Sequence, residues 1–177
     1  MTDPATGQLG PRARQIVGAA RDLLESEGAE ALTMRRIADS VGIKAPSLYK
    51  HFPDKAAVEV QLMALMLAEL AAVLEAAEAA APGSLRALFE AYRRYALDHP
   101  GLYRLATQKP LPRESLPPGL EDRAAAPLFR ELGLDEHAGR AAWAFAHGMV
   151  ALELDGRFPG GADLDEAWRV GAAAFTG

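Results

Sequence analysis

A short segment in the first third of the chain brings cationic, hydroxyl and aromatic side chains close together. Its outward-facing positions are predicted to be Lys44, Ala45, Ser47, Tyr49, Lys50 and His51. Side chains of these types contact phosphates and can hydrogen-bond to the edges of bases. Within residues 33–55, five basic side chains stand against two acidic ones. This composition indicates an anionic partner, and the mixture of groups suits nucleic acid.

Two short helices with a tight turn between them must position these side chains. Thr33 is a good N-cap for a helix over 34–40, and Gly42 then interrupts the helical pattern. Pro46 is tolerated in the first turn of a second helix of about eight residues, which ends at Pro53. This arrangement is typical of a helix-turn-helix, whose second helix lies in the major groove of DNA. The alternative is a surface helical hairpin with scattered charges.

The run from Leu32 to Lys55 resembles the DNA-binding signature of the tetracycline-repressor (TetR) family nearly residue for residue. The matching positions are Thr33, Ile37–Ala38, Val41–Gly42, Leu48–Tyr49, His51–Phe52 and Lys55. The resemblance covers roughly residues 12–58. It implies a homodimer that binds a double-stranded DNA operator through an N-terminal three-helix domain. A long fourth helix would join that domain to a variable ligand-binding domain.

The resemblance also implies roles for individual residues. The family's usual phosphate contacts correspond to Thr33, Tyr49, His51 and Lys55. Residues of the recognition helix that meet bases or nearby backbone correspond to Lys44, Ala45, Ser47 and Lys50. Arg35 completes the predicted DNA-binding set. The chain departs from the family at Lys44, where Ser or Thr often caps the helix, and whether Lys44 reaches a base or a phosphate stays open.

The composition of the 177 residues excludes several classes of protein. The chain contains no cysteine, which excludes disulfides, thiolate metal sites and thiol nucleophiles. The net charge of −5 conceals a basic segment on an acidic body. Residues 1–14 do not resemble a signal peptide, and acidic residues interrupt the Ala-rich stretch 56–81. We therefore expect a protein without a membrane span, located in the cytoplasm.

Helical periodicity runs through the whole chain, and no strand-like alternation interrupts it. The fold class is predicted to be all-α with about nine helices. Gln108–Gly119 contains four prolines and is predicted to be a loop. The predicted domains are a flexible N-terminal arm over 1–10, a helix-turn-helix domain over 11–55, and a helical ligand-binding and dimerisation domain over 56–177.

Methionine and aromatic side chains recur in the predicted C-terminal domain. Such mixtures are common in apolar pockets for small molecules, although they also fill ordinary cores. The residues predicted to bind a small-molecule effector are Met63, Met66, Phe89, Tyr92, Tyr103, Trp143 and His147. The four histidines have no metal-ligand spacing, and we expect neither a metal nor a cofactor.

The helix predicted over 135–156 is apolar on two opposing sides. One predicted stripe contains Trp143, His147, Val150 and Leu154, and the other contains Phe145 and Leu152. A helix of this kind must be covered twice, which favours a homodimer in which it meets a second subunit together with the last helix. The alternative is burial within one monomer. The run from Trp143 to Gly148 also resembles a Trp…His-Gly motif of one C-terminal class of the same family.

These observations predict a ligand-responsive transcriptional regulator, most simply a repressor that a small apolar or amphipathic molecule releases from a palindromic operator. A ligand-binding or scaffolding dimer that no longer reads DNA is the alternative. An enzyme is not expected, because the sequence offers no Gly-rich phosphate loop and no nucleophile elbow.

Overall fold

The computed structural model describes residues 9–176, and every regular element in that range is a helix. The α-helices are α1 Pro11–Glu27, α2 Met34–Ser40, α3 Ala45–Leu48, α4 Lys55–Ala80, α5 Leu85–Asp98, α6 Pro100–Thr107, α7 Leu120–Glu131, α8 Glu136–Leu154 and α9 Leu164–Thr176. A short 3-10 helix, Arg113–Ser115, lies in the predicted loop. The all-α prediction is confirmed. Residues 1–8 of the predicted N-terminal arm lie outside the described residues.

The chain divides into two compact units. The N-terminal unit contains the residues up to Ala68 together with His99–Leu120. The C-terminal unit contains Glu69–Asp98 together with the residues from Glu121 onward. Consequently α6 and the proline-rich loop after it pack with the N-terminal helices. The predicted boundary after residue 55 separates a DNA-binding domain from a ligand-binding domain, whereas these two units are defined by packing. That boundary stays a prediction.

Side-chain caps fix where the N-terminal helices begin. The hydroxyl of Thr33 accepts a hydrogen bond from the backbone N–H of Arg36 at 3.3 Å, which confirms the predicted cap of α2. Asp54 accepts one from Ala57 at 2.8 Å in the first turn of α4. Each cap satisfies an N–H that has no partner within its helix. The core beneath these helices contains Ile16, Leu24, Leu32, Ile37 and Leu48, each at most 1% exposed.

The recognition helix is shorter than the sequence predicts. The pattern predicts about eight helical residues, whereas α3 contains four, Ala45–Leu48. Beyond it, the carbonyl of Leu48 accepts hydrogen bonds from the N–H groups of His51 at 2.9 Å and Phe52 at 3.1 Å. The chain therefore closes a turn between Leu48 and Phe52, and Pro53, which has no N–H to donate, cannot extend the hydrogen-bond pattern further. The predicted length is wrong, and the predicted place of Pro46 in the first turn is confirmed.

A carboxylate from α1 holds the first turn of α6. No side chain of α6 caps this end, since His99 at the N-cap makes no capping hydrogen bond. Glu25 instead accepts hydrogen bonds from the N–H groups of Gly101 at 2.8 Å and Leu102 at 2.9 Å. A Cβ at residue 101 would lie 2.9 Å from both Glu25 Oε2 and the carbonyl oxygen of Leu24, so this approach requires glycine.

Aromatic rings pack α5, α8 and α9 together in the C-terminal unit. The ring of Phe145 lies over Gly171, where any Cβ would overlap it. The ring centroid of Phe89 lies 5.5 Å from that of Phe145 and 5.7 Å from that of Trp168, distances typical of attractive aromatic pairs. These contacts join the two C-terminal helices to α5.

A polar network adds to this packing. Glu153, whose side chain is 6% exposed, accepts hydrogen bonds from Arg93 Nε at 3.0 Å and Trp168 Nε1 at 2.6 Å. The same guanidinium donates to Asp165 at 2.6 Å. Because a buried carboxylate is costly unless it is paired, this satisfied arrangement fixes the three helices in one register.

The buried stripe of α8 differs from the predicted one. It contains the small residues Gly139, Ala142 and Ala146 together with Val150. Trp143, which the sequence places on a covered stripe, is 51% exposed. Small side chains allow α8 to approach its neighbours closely, and the indole is left at the margin of the buried face. Val150 is therefore buried within the single chain, and whether a second subunit covers Trp143 stays a prediction.

By length and composition alone, α4 would suit a membrane span. An 18-residue window within Lys55–Ala80 reaches a mean hydropathy of 1.9, contrary to the expectation that its acidic residues would prevent such a run. However, 56% of that window is buried inside the protein. Burial of this kind is what a core helix requires, and it explains the apolar composition without a bilayer.

Candidate nucleic-acid interface

The turn between α2 and α3 sets the direction of the predicted recognition helix. Gly42 has a φ of 67°, a left-handed conformation that favours glycine. Its N–H donates to the carbonyl of Asp39 at 3.1 Å, and the N–H of Ile43 donates to the carbonyl of Ala38 at 3.0 Å. Ala38 is 1% exposed, as expected for the small residue where the two helices meet. The structure therefore forms the helix-turn-helix that the sequence predicts.

One side of α3 and the turn after it is polar and exposed. The exposed residues there include Lys44, Ser47, Tyr49, Lys50 and His51, and Ala45 is half-buried. Tyr49 is 51% exposed, so its hydroxyl is accessible to a partner. Leu48 and Phe52 point inward and are at most 4% exposed. The core thus anchors α3 from below and leaves its polar side open to a partner.

Lys44 stands at the N-cap of α3 and makes no capping hydrogen bond. The sequence predicts this loss, because lysine replaces the Ser or Thr that often caps this helix. Its side chain is exposed next to Ser47. The position therefore contributes a positive charge to the polar side of α3 in place of a cap.

The cations of α2 and α4 differ in their contacts. Arg36 forms an exposed ion pair with Glu27 at 2.6 Å, which occupies its guanidinium. Arg35 and Thr33, both in the predicted DNA-binding set, are exposed at the start of α2. Lys55 is half-buried at the start of α4, and its ammonium lies 3.4 Å from the carbonyl oxygen of Ala29.

Glu59 and Lys109 also belong to this region, and neither is among the predicted site residues. The Glu59 carboxylate lies 3.5 Å from Lys55 Nζ and 2.7 Å from Lys109 Nζ. The spacing of Lys55 and Glu59, four residues on one helix, is a signal that the sequence contains. Lys109 lies 50 residues after Glu59 in the proline-rich loop, and only the fold brings the two together.

The residues predicted to bind an effector fall in both compact units. Met63, Met66 and Tyr103 are buried in the N-terminal unit, each at most 4% exposed. Within the C-terminal unit, Phe89, Tyr92 and Trp143 line an apolar cavity of about 20 Å³. Its other lining residues are Leu74, Leu88, Leu128 and Ala146. The role of the whole set in ligand binding stays a prediction.

His147 stacks on Trp143 at the edge of α8. Their ring centroids are 5.8 Å apart and their planes differ by 19°. Burial lowers the pKa of His147 below its ordinary value, because desolvation penalises the charged imidazolium. This direction favours the neutral imidazole over the imidazolium.

Family comparisons cover most of the chain. Residues 16–59 match the family described as bacterial regulatory proteins, tetR family. Residues 85–175 match the family described as tetracyclin repressor-like, C-terminal domain, and these residues make up more than half of the chain. The chain belongs to the TetR family. The second match includes the Trp143–Gly148 run, whose assignment to a particular C-terminal class stays a prediction.

TetR-family relatives and solved structures are similar along most of this chain. An HTH-type transcriptional regulator of Mycobacterium tuberculosis, Rv0681, is 35% identical over 80% of this chain and 69% of its own length. The HTH-type transcriptional repressor DrrR1 of Streptomyces coeruleorubidus is 32% identical over 69% of this chain and 44% of its own length. A Rhodococcus sp. RHA1 protein of unknown function shares the fold, with a TM-score of 0.78 at 24% identity over 95% of each chain.

These matches establish the general function. Members of the TetR family are DNA-binding transcriptional regulators, and this chain is one of them. Its relatives are regulators rather than enzymes. Within residues 9–176, no group of three or more histidine, aspartate or glutamate side chains is arranged to hold a metal ion.

Proposed function

We propose that this TetR-family regulator is a cytoplasmic homodimeric repressor that binds a palindromic operator and is released by a small apolar or amphipathic molecule. The observation that carries the proposal is the polar, exposed side of α3 above a closed apolar core. In this proposal Lys44, Ser47 and Lys50 would contact bases and adjacent backbone, and Thr33 and Lys55 would contact phosphates. Two copies of α3 about 34 Å apart would reach successive major grooves on one face of DNA.

The outer sides of α8 and α9 support dimerisation. Leu152 is 42% exposed and Val170 is 53% exposed, although both are large apolar residues. Four alanines are also exposed on these two helices: Ala141, Ala144, Ala173 and Ala174. Small side chains allow helices of two subunits to approach closely, and the exposed Leu and Val would supply apolar area to the contact. The packing of Phe145 on Gly171 would present α8 and α9 to a partner as one rigid surface.

The cavity in the C-terminal unit supports an apolar effector. Its lining is almost entirely hydrocarbon and aromatic, with the half-exposed indole of Trp143 on one side. A volume of about 20 Å³ holds about one water molecule, so an effector must displace side chains to enter. A ligand that binds better to the displaced conformation shifts the population away from the DNA-binding one. Complete release requires a preference of about 5.5 kcal/mol between the two states.

The test of DNA binding is selection from a random duplex library with the purified chain, followed by anisotropy on the enriched duplex. We expect an inverted repeat. Tyr49→Phe and Lys50→Ala should weaken binding to it without changing the melting temperature or the oligomeric state. Arg140→Ala is the matched control, because Arg140 is an exposed cation of α8 that pairs with Glu136 one turn away. A folded dimer that enriches no sequence would favour the ligand-binding or scaffolding alternative.

The dimer is tested separately by Val170→Glu. A carboxylate in the centre of an apolar contact would be buried without a partner, so we expect a monomer by analytical ultracentrifugation. The isolated monomer should stay folded, because Val170 is 53% exposed in the single chain. If the variant sediments as the parent does, the contact lies elsewhere.

A further inference from the structure

A single carboxylate in the N-terminal unit is shared by two lysines. The side chain of Glu59 is 13% exposed, and its two oxygens face different ammonium groups. Lys55 lies one turn earlier on α4, and its Nζ is 3.5 Å from Glu59 Oε1. Lys109 comes from the loop after α6, and its Nζ is 2.7 Å from Glu59 Oε2. Lys109 therefore makes the closer pair.

We propose that Lys109 is a positioning residue for DNA binding, which neutralises Glu59 and so leaves Lys55 available to a DNA phosphate. The proposal rests on the proposed function, because it requires Lys55 to contact the operator backbone. Lys109 lies outside the helix-turn-helix and acts on DNA affinity only through Glu59.

The physical basis is competition for Lys55. Glu59 is mostly shielded from water, so its charge interacts with nearby ammonium groups more strongly than an exposed carboxylate would. Without Lys109, the charge of Glu59 would be compensated by Lys55. When Lys55 moved to a DNA phosphate, the Glu59 carboxylate would lose that compensation. The same charge would repel a phosphate that approaches Lys55. Lys109 removes both penalties.

The remaining contacts of Lys55 allow this exchange. Its side chain is 42% exposed, and its other hydrogen bond, to the carbonyl oxygen of Ala29, is long at 3.4 Å. Neither contact holds the ammonium firmly. Lys109 is 49% exposed and can keep its pair with Glu59 while Lys55 moves.

The experiment is a double-mutant cycle of DNA affinity with Lys109→Ala and Glu59→Gln. Anisotropy is measured on the enriched duplex, or on a random-sequence 30-bp duplex if no sequence is enriched, since phosphate contacts contribute to both. We expect Lys109→Ala alone to weaken binding about two- to fivefold. In the Glu59→Gln background, the same substitution should change nothing. Lys109→Arg should retain the parental affinity, because it keeps the positive charge.

The salt dependence of DNA affinity gives a second readout, because a purely structural role of Lys109 would leave it unchanged. The slope of log K against log salt concentration reports the number of phosphates neutralised, at about 0.9 per contact. Lys109→Ala should reduce the magnitude of the slope by up to about 0.9, the value for one phosphate contact. Adding Glu59→Gln should restore the parental slope. Lys55→Ala should abolish the effect of both substitutions.

The controls separate this proposal from the function itself. Arg130→Ala removes a comparable pair, the one with Glu78 on α4 in the C-terminal unit, and should leave DNA affinity unchanged. Thermal melts establish that each variant is folded. An equal loss for Lys109→Ala in both backgrounds, or no loss in either, overturns the proposal. If Tyr49→Phe and Lys50→Ala also bind as the parent does, the DNA-binding assignment fails as well.

Discussion

Removing the carboxylate of Glu25 should destabilise the protein, because this side chain caps a helix from outside it. Glu25 accepts hydrogen bonds from the N–H groups of Gly101 at 2.8 Å and Leu102 at 2.9 Å, and Leu102 is fully buried. In Glu25→Ala, both N–H groups would lose their acceptor in a partly buried place. Water can replace the carboxylate only in part, because the backbones of α1 and α6 approach closely there.

The expected magnitude follows from these two bonds. Loss of a helix cap costs about 0.5–2 kcal/mol, and a hydrogen bond to a charged group contributes about 1.5–3 kcal/mol. Allowing for partial hydration, we expect Glu25→Ala to lower the free energy of unfolding by about 2–4 kcal/mol. Glu25→Gln keeps one acceptor oxygen and should lose about half of that. For a chain of this size, about 3 kcal/mol corresponds to a decrease in Tm of about 6–12 °C.

The assay is thermal and urea unfolding at a fixed protein concentration, since a dimer makes Tm depend on concentration. The matched control is Glu27→Ala on the same helix, which removes an exposed ion pair with Arg36. An exposed pair contributes only about 0.2–1 kcal/mol, so this variant should melt close to the parent. If Glu25→Ala also melts within about 2 °C of the parent, the capping role is refuted.

Three further predictions concern the C-terminal unit. Gly171→Ala should lower the free energy of unfolding by about 1–3 kcal/mol in urea titrations, because its Cβ would overlap Phe145, and a stabilised variant would contradict this packing. Glu153→Ala should cost about 2–3 kcal/mol in the same assay, because Arg93 and Trp168 would both lose their buried acceptor and Arg93 would keep only the exposed carboxylate of Asp165. His147 has a lowered pKa in the folded state, so the unfolded chain takes up the proton first as the pH falls. Stability should therefore decrease below about pH 6.5, and His147→Gln should reduce that decrease in Tm between pH 7.5 and 5.5.

Local signals in the sequence predict most of the helix boundaries. Thr33 caps α2 and Pro46 opens α3 as predicted, because capping and proline geometry depend on a few adjacent atoms. The length of α3 is a different matter. Helical periodicity continues to Phe52, but the chain closes a turn at Leu48. The turn buries Leu48 and Phe52 as well as a longer helix would, so the spacing of apolar residues does not distinguish the two conformations.

The candidate site is predicted less completely than the fold. The exposed polar side of α3 follows from a pattern within one short segment, and the structure has it. The pair of Lys109 with Glu59 joins residues 50 positions apart, and the cap from Glu25 joins residues more than 70 positions apart. No periodicity relates such positions. The half-exposure of Trp143 in the single chain does not follow from its hydrophobicity, because hydrophobicity does not say whether small neighbours leave room for a residue in the core.

The brevity of α3 limits how much sequence one subunit can recognise. Four residues of helix rise about 6 Å, which spans on the order of two base-pair steps. A match to so few base pairs recurs by chance throughout any genome, which offers about 10⁶–10⁹ competing sites. A single subunit would therefore bind many chance matches in the genome and would occupy them for most of the time, rather than its operator. If two such helices were held at a fixed separation, the distance between half-sites would itself become part of what the protein recognises.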